Sequence, residues 1–98
     1  MNIQAMMKQA QALQKDMLKI KDEIDKTDFI GENSMIKITV KGNKEISDVE
    51  IKVKENLDSN DLDMLQDMIK SAFNDAVKKI DDTTEKKMGK FGNIPGLF

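Results

Sequence analysis

The chain has 98 residues, a net charge of −2 and a pI near 5.1, with 39% hydrophobic and 35% charged residues. That is room for one small domain, which buries roughly 60–70% of its unfolded surface and would gain from a partner subunit. The absence of His, Cys, Trp, Tyr and Arg excludes disulfides, the usual general base, a thiolate nucleophile and nitrogen or sulfur metal ligands.

Ile3, Met6, Ala10, Leu13, Met17, Ile20 and Ile24 follow a 3-4 heptad spacing, which predicts a helix over 3–26 with a narrow apolar seam. Such a helix is roughly 35 Å long at 1.5 Å per residue. It must therefore either project from a small body or be covered by a second copy. Gln4, Lys8, Gln11, Lys15 and Lys19 are spaced to stack on one polar side. Asp22, Glu23 and Asp25 crowd the C-terminal end against the helix dipole, so packing has to sustain this helix.

The period then changes from 3.6 to 2. Ile36, Ile38 and Val40 alternate with Lys37, Thr39 and Lys41; Val49, Ile51 and Val53 alternate with Glu50, Lys52 and Lys54. With Gly42-Asn43-Lys44 between them, these runs predict an antiparallel hairpin with one apolar and one lysine-lined face. Phe29 and Ile30 open a third strand. Asp58, Ser59 and Asn60 offer helix caps, and Asp61 and Asp63 suit a first turn. Leu62, Leu65, Ile69, Ala72, Phe73, Ala76, Val77 and Ile80, widened by Met64 and Met68, predict a second helix over 59–87. The order is that of an α+β domain over residues 1–88. Gly89, Gly92, Pro95 and Gly96 mark 89–98 as a flexible tail whose Phe91, Ile94, Leu97 and Phe98 could dock on the body or on a second subunit.

Charge is segregated. Residues 1–21 carry four lysines against one acid, and 86–98 add Lys86, Lys87 and Lys90 with none, while 57–85 hold eight acids against three lysines. Basic ends around an acidic middle are one form of a nucleic-acid footprint; a solvated helix face has the same composition. Without Arg, the commonest reader of guanine edges, lysine contacts favour phosphates and give little direct sequence readout. No aromatics interleave the lysines for stacking on single strands. The run Asp58 to Asp63 has the look of a calcium loop but lacks the central Gly and places Leu62 at a ligand position, so helix capping explains it. Lys37, Lys41, Lys52 and Lys54 read as solubility devices of the sheet, and the methionines as packing. No phosphate loop or marked carboxylate pair is present, and no apolar run approaches the ~18 residues of a membrane span. The expectation is a cytoplasmic protein that is not an enzyme and has no cofactor, metal, membrane or small-molecule substrate.

Met7-Lys8-Gln9-Ala10-Gln11, with Gln14-Lys15 and Met17, resembles the first helix of the YbaB/EbfC nucleoid-associated proteins. Ile36 to Gly42 resembles their central strand and turn. Phe73-Asn74-Asp75-Ala76 with Lys79, then Glu85-Lys86-Lys87-Met88-Gly89 and Pro95-Gly96-Leu97-Phe98, resemble their second helix and tail. The resemblance implies a tweezer-like homodimer of the nucleoid that binds double-stranded DNA without catalysis, each first helix projecting as an arm. It makes Lys8, Lys15 and Lys19, with Gln4 and Gln11 beside them, the first candidate DNA contacts, and Lys86, Lys87 and Lys90 the second. The alternative is a protein-interaction module, partner of a recombination or replication factor, that does not touch DNA itself.

Overall fold

The computed structural model describes residues 2–91, with Lys90 described by its backbone alone. Helix α1 (Ile3–Lys26) is followed by strands β1 (Asp28–Glu32), β2 (Ile36–Lys41) and β3 (Ile46–Ile51), then helix α2 (Ser59–Met88) and a 3-10 turn over Gly89–Phe91. The α+β order and both helices match the expectation from periodicity. The strands form an antiparallel sheet in the order β1-β2-β3.

Local chemistry fixes the ends of each helix. Asn2 caps α1 by accepting from the Ala5 amide at 3.2 Å. The acids at the other end are offset by ion pairs one turn apart, Lys21 with Asp25 at 3.0 Å and Lys26 with Asp22 at 2.9 Å. Asp58 opens α2 with a reciprocal capping box: its carboxylate accepts from the Asp61 amide at 2.9 Å, and its own amide donates to Asp61 at 3.0 Å. Two backbone donors that a helix start leaves unpaired are thereby satisfied.

The main core lies between α2 and the inner face of the sheet, where Ile36, Ile38 and Val40 meet Leu65, Ala72, Ala76 and Ile80. Small residues let the layers close. A Cβ added to Gly31 would fall 1.7 Å from the Ala72 carbonyl oxygen and 2.9 Å from the Ala76 nitrogen, so the α2 backbone rests directly on β1. Gly42 is a second seat: its added Cβ would fall 1.8 Å from the Ile24 carbonyl oxygen, where the end of α1 lies on the β2–β3 turn. The left-handed residue of that turn is Lys44, at φ 72°. Asn33 ties the β1–β2 turn to α2, donating to the Met68 carbonyl at 2.9 Å and accepting from the Ile36 amide at 3.0 Å.

Two differences from the alternation pattern matter. Strand β3 begins at Ile46 and ends before Val53, and every residue in it is exposed. Val49 and Ile51 pair with the buried Ile38 and Ile36, and a bulge brings Ile46 opposite Val40, so all three share the inner face. Seated over β1 and β2, α2 leaves that strip uncovered, with Ile46, Val49 and Ile51 exposed by 43–47%. Leu62 and Met64 on α2 are likewise exposed.

A second cluster joins Met17 and Ile24 of α1 to Met88 and Phe91. Lys21, Ile24 and Asp25 share a cleft with Ile80, Asp81 and Thr84. Moving back along α1 thus means moving forward along α2. At 1.5 Å per residue the helices are about 36 and about 45 Å long, and the molecule measures 71 Å along its main axis. They overlap only near their C-terminal ends, and the N-terminal half of α1 runs on past the end of α2.

If the helix–sheet seat at Gly31 is essential, Gly31→Ala should lower stability by about 3 kcal/mol or prevent folding. Gly89→Ala, whose new Cβ meets nothing within 4 Å, should change it by less than about 1 kcal/mol. Urea unfolding midpoints of the two variants provide the comparison.

Candidate nucleic-acid interface

Every residue of α1 from Ile3 to Asp16 is exposed, and Met17 is the first to be buried. The free half is an arm about 20 Å long. Helical spacing puts Gln4, Lys8, Gln11, Lys15 and Lys19 along one side, opposite the apolar seam of Ile3, Met6, Ala10 and Leu13. All five polar residues are exposed. Lys8 and Lys19 are about 16 Å apart along the axis, so three ammonium groups follow a line that a phosphate backbone could match.

None of those lysines is neutralised: Lys8, Lys15 and Lys19 have no ion pair among the described residues. Lys15 and Lys19 lie one turn apart, a like-charge arrangement that costs a helix roughly 0.2–0.5 kcal/mol. An anion between them would relieve that repulsion. Five lysines elsewhere are ion-paired. Lys21, Lys26, Lys44, Lys52 and Lys79 pair with Asp25, Asp22, Asp81, Glu32 and Asp75. On the outer face of the sheet, Lys37 stands between Glu32 and Glu50, and Lys41 lies opposite Asp28. The sheet therefore carries its own counter-charges, whereas the arm's one acid, Asp16, forms no ion pair among the described residues.

Lys86 and Lys87 occupy the last turn of α2, exposed and without ion pairs among the described residues. A cation there also suits the helix dipole, so their placement has a structural reason of its own. Because the arm leaves the body at the C-terminal end of α2, the two basic groups share one end of the molecule. The Lys90 side chain lies outside the described residues. No group of three or more acids able to hold a metal is found among the described residues, and none of their helices is long and apolar enough to cross a membrane.

A model of the YbaB/EbfC DNA-binding family matches residues 1–94. The chain belongs to that family. A nucleoid-associated protein of Ligilactobacillus salivarius is 48% identical over 100 residues, covering 99% of this chain and 95% of its own. One from Enterococcus faecalis is 41% identical over 99 residues, covering 98% of this chain and 94% of its own. Another from Pelotomaculum thermopropionicum is 42% identical over 102 residues, covering 99% of this chain and 96% of its own. The YbaB/EbfC resemblance drawn from the helix and strand segments is thus borne out over nearly the whole chain.

Within this YbaB/EbfC chain the heptad does not act as one unit, as its even spacing suggests. Its C-terminal part, Met17 and Ile24, is core, and its N-terminal part is bare. The signal was present in the length of the seam, which exceeds what so small a body can cover.

Lys52 illustrates a lysine withdrawn from binding. It donates to the Asn33 carbonyl at 2.8 Å and pairs with Glu32. The hydrogen bond and charge of Lys52, then the charges of Lys37 and Lys79, hold the Glu32 carboxyl below the usual glutamate range. With its pKa lowered by folding, Glu32 stabilises the fold above the unfolded glutamate value, and this support fades as pH falls through the folded value. An NMR titration should find Glu32 ionising below the usual glutamate range, and Lys52→Met should raise it towards that range.

Proposed function

We propose that the protein is a nucleoid-associated protein that grips double-stranded DNA as a homodimer, mainly through phosphates, and performs no catalysis. The observation that carries this reading is the projecting arm, with Lys8 and Lys15 on one side and Lys19 continuing the same line past Met17, none of them ion-paired among the described residues. Lys8, Lys15 and Lys19 are the phosphate contacts, Gln4 and Gln11 add hydrogen bonds beside them, and Lys86, Lys87 and Lys90 form a second group near the base of the arm. Family membership and the names of the relatives support DNA as the partner.

The uncovered strip of β3 supports the homodimer. Ile46, Val49 and Ile51 extend the core face beyond the reach of α2, along a strand with one unpaired edge. Exposed apolar strands of this kind are ordinarily paired or covered, and a second copy supplies a self-complementary surface. Two linked arms would then engage one duplex, and the second contact would gain from effective concentration.

At 0.1 M salt each lysine–phosphate contact contributes roughly eightfold to affinity through counterion release. The variant Lys8→Gln, Lys15→Gln, Lys19→Gln should therefore bind a labelled duplex at least about a hundredfold more weakly, with unchanged helix content by circular dichroism. Its sedimentation should still give twice the chain mass. Unaltered binding would remove the arm from the interface, and a variant and parent that both sediment as monomers would remove the dimer. If neither binds DNA, a protein partner becomes the better reading.

A further inference from the structure

The arm has an apolar side that the proposed grip on DNA leaves unused. Ile3, Met6, Met7 and Leu13 are exposed by 46–68%, with the exposed Ala10 among them. On a helix of 3.6 residues per turn they span roughly 120° of the circumference. A stripe of that width ordinarily faces a core, and among the described residues nothing covers it.

Charge selects the kind of partner. From Ile3 to Leu13 the single charged residue is Lys8, which stands roughly 160° from the middle of the stripe. Glutamines border the stripe instead, Gln9 on one side and Gln4 and Gln11 on the other. An anionic lipid surface or an acidic helix is met by lysines at the borders of an apolar face, where they reach the partner. These borders are neutral, so the surface suits an apolar partner whose own borders are neutral. A second copy of the arm has that surface. Two of them meet with no like charges opposed and with both lysine sides turned outward.

Geometry then sets the direction. The body lies on the stripe side of α1, which packs through Met17 and Ile24 against Met88 and Phe91. The molecule is 19 and 17 Å across its short axes, whereas packed helices lie about 8–10 Å apart. Parallel arms would drive one body into the other. We infer that the apolar side of the arm packs antiparallel against the same side of an arm from a second copy, Ile3 against the partner's Leu13 and Met6 against the partner's Ala10. Each tip stops short of the partner's Met17, and the whole bare stripe is used in a self-complementary contact. The contact is shorter than the three or four heptads that sustain a coiled coil alone. It therefore forms at high concentration, strengthened where the β3 contact presents two arms together. That strengthening rests on the homodimer proposed above; the pairing of arms does not, and neither depends on DNA.

Sedimentation of the full chain from about 10 μM to about 1 mM should rise from two chains to four. Met6→Gln with Leu13→Gln, which keeps the charge and closely similar helix propensity, should hold the mass at two. If the homodimer reading alone fails, those high-concentration masses become two and one, with the pairing intact. The chain has no cysteine, so disulfides report direction. Ile3→Cys mixed with Leu13→Cys should link on mild oxidation at least about tenfold faster than either alone, because only the mixed pair brings Cα atoms within about 7 Å. Equal masses for parent and glutamine variant at every concentration, or Ile3→Cys linking to itself as fast as to Leu13→Cys, would overturn the pairing. Arm amides that gain exchange protection only on anionic vesicles would also overturn it, in favour of a lipid surface.

Discussion

The structure depends on how closely α2 can approach the sheet. At Gly31 the helix backbone, thinned by Ala72 and Ala76, meets the strand backbone with no room for a methyl group. That seat puts Leu65, Ala72, Ala76 and Ile80 over β1 and β2 and leaves β3 beyond their reach. Gly42 performs the same service for the last turn of α1. Because α1 is held only at its C-terminal end, its other half has nowhere to lie but outward. One pair of glycine contacts therefore produces both exposed features, the bare strand and the projecting arm.

The arm also resolves the apparent conflict between an acidic chain and an anionic ligand. Lys8 lies about 14 Å along the helix from Met17, where α1 first meets the body, more than one Debye length at physiological salt. Over that distance the acids of α2 are largely screened, and a phosphate at the arm meets the local excess of lysine. Overall charge governs solubility and long-range steering; the contact is decided by what lies within a few ångströms. Separating basic arm from acidic body keeps those lysines apart from counter-charges, since the same lysines placed on the sheet would stand opposite Glu32, Glu50 and Asp28 as Lys37 and Lys41 do.

Much of the fold was legible in the sequence because it is written in local signals. The 3.6-residue period and Asp58 marked the two helices, and alternating Ile and Val marked β2. The seam and the line from Gln4 to Lys19 were readable as opposite sides of one helix. The fate of β3 was not, since alternation shows which residues share a face but not whether anything covers it; that depends on the path of α2. Nor did Gly31 and Gly42 announce themselves as seats, because a glycine in sequence reads as a turn or a bulge. The left-handed turn position fell to Lys44, which propensity would not have chosen. Which lysines are neutralised was also hidden, because Lys52 and Glu32 meet through strand register rather than sequence spacing.

The central claim is that DNA is held through the phosphates by lysines of two arms, and the most direct measurement is the salt dependence of binding. Fluorescence anisotropy of a ~30 bp duplex titrated with the protein from 20 to 300 mM salt, a range wide enough to expose counterion release, gives the slope of log K against log salt. Three lysines on each of two arms predict a slope of about −5, steeper if Lys86 and Lys87 also engage. A slope near zero, or no binding at the lowest salt, would contradict the account.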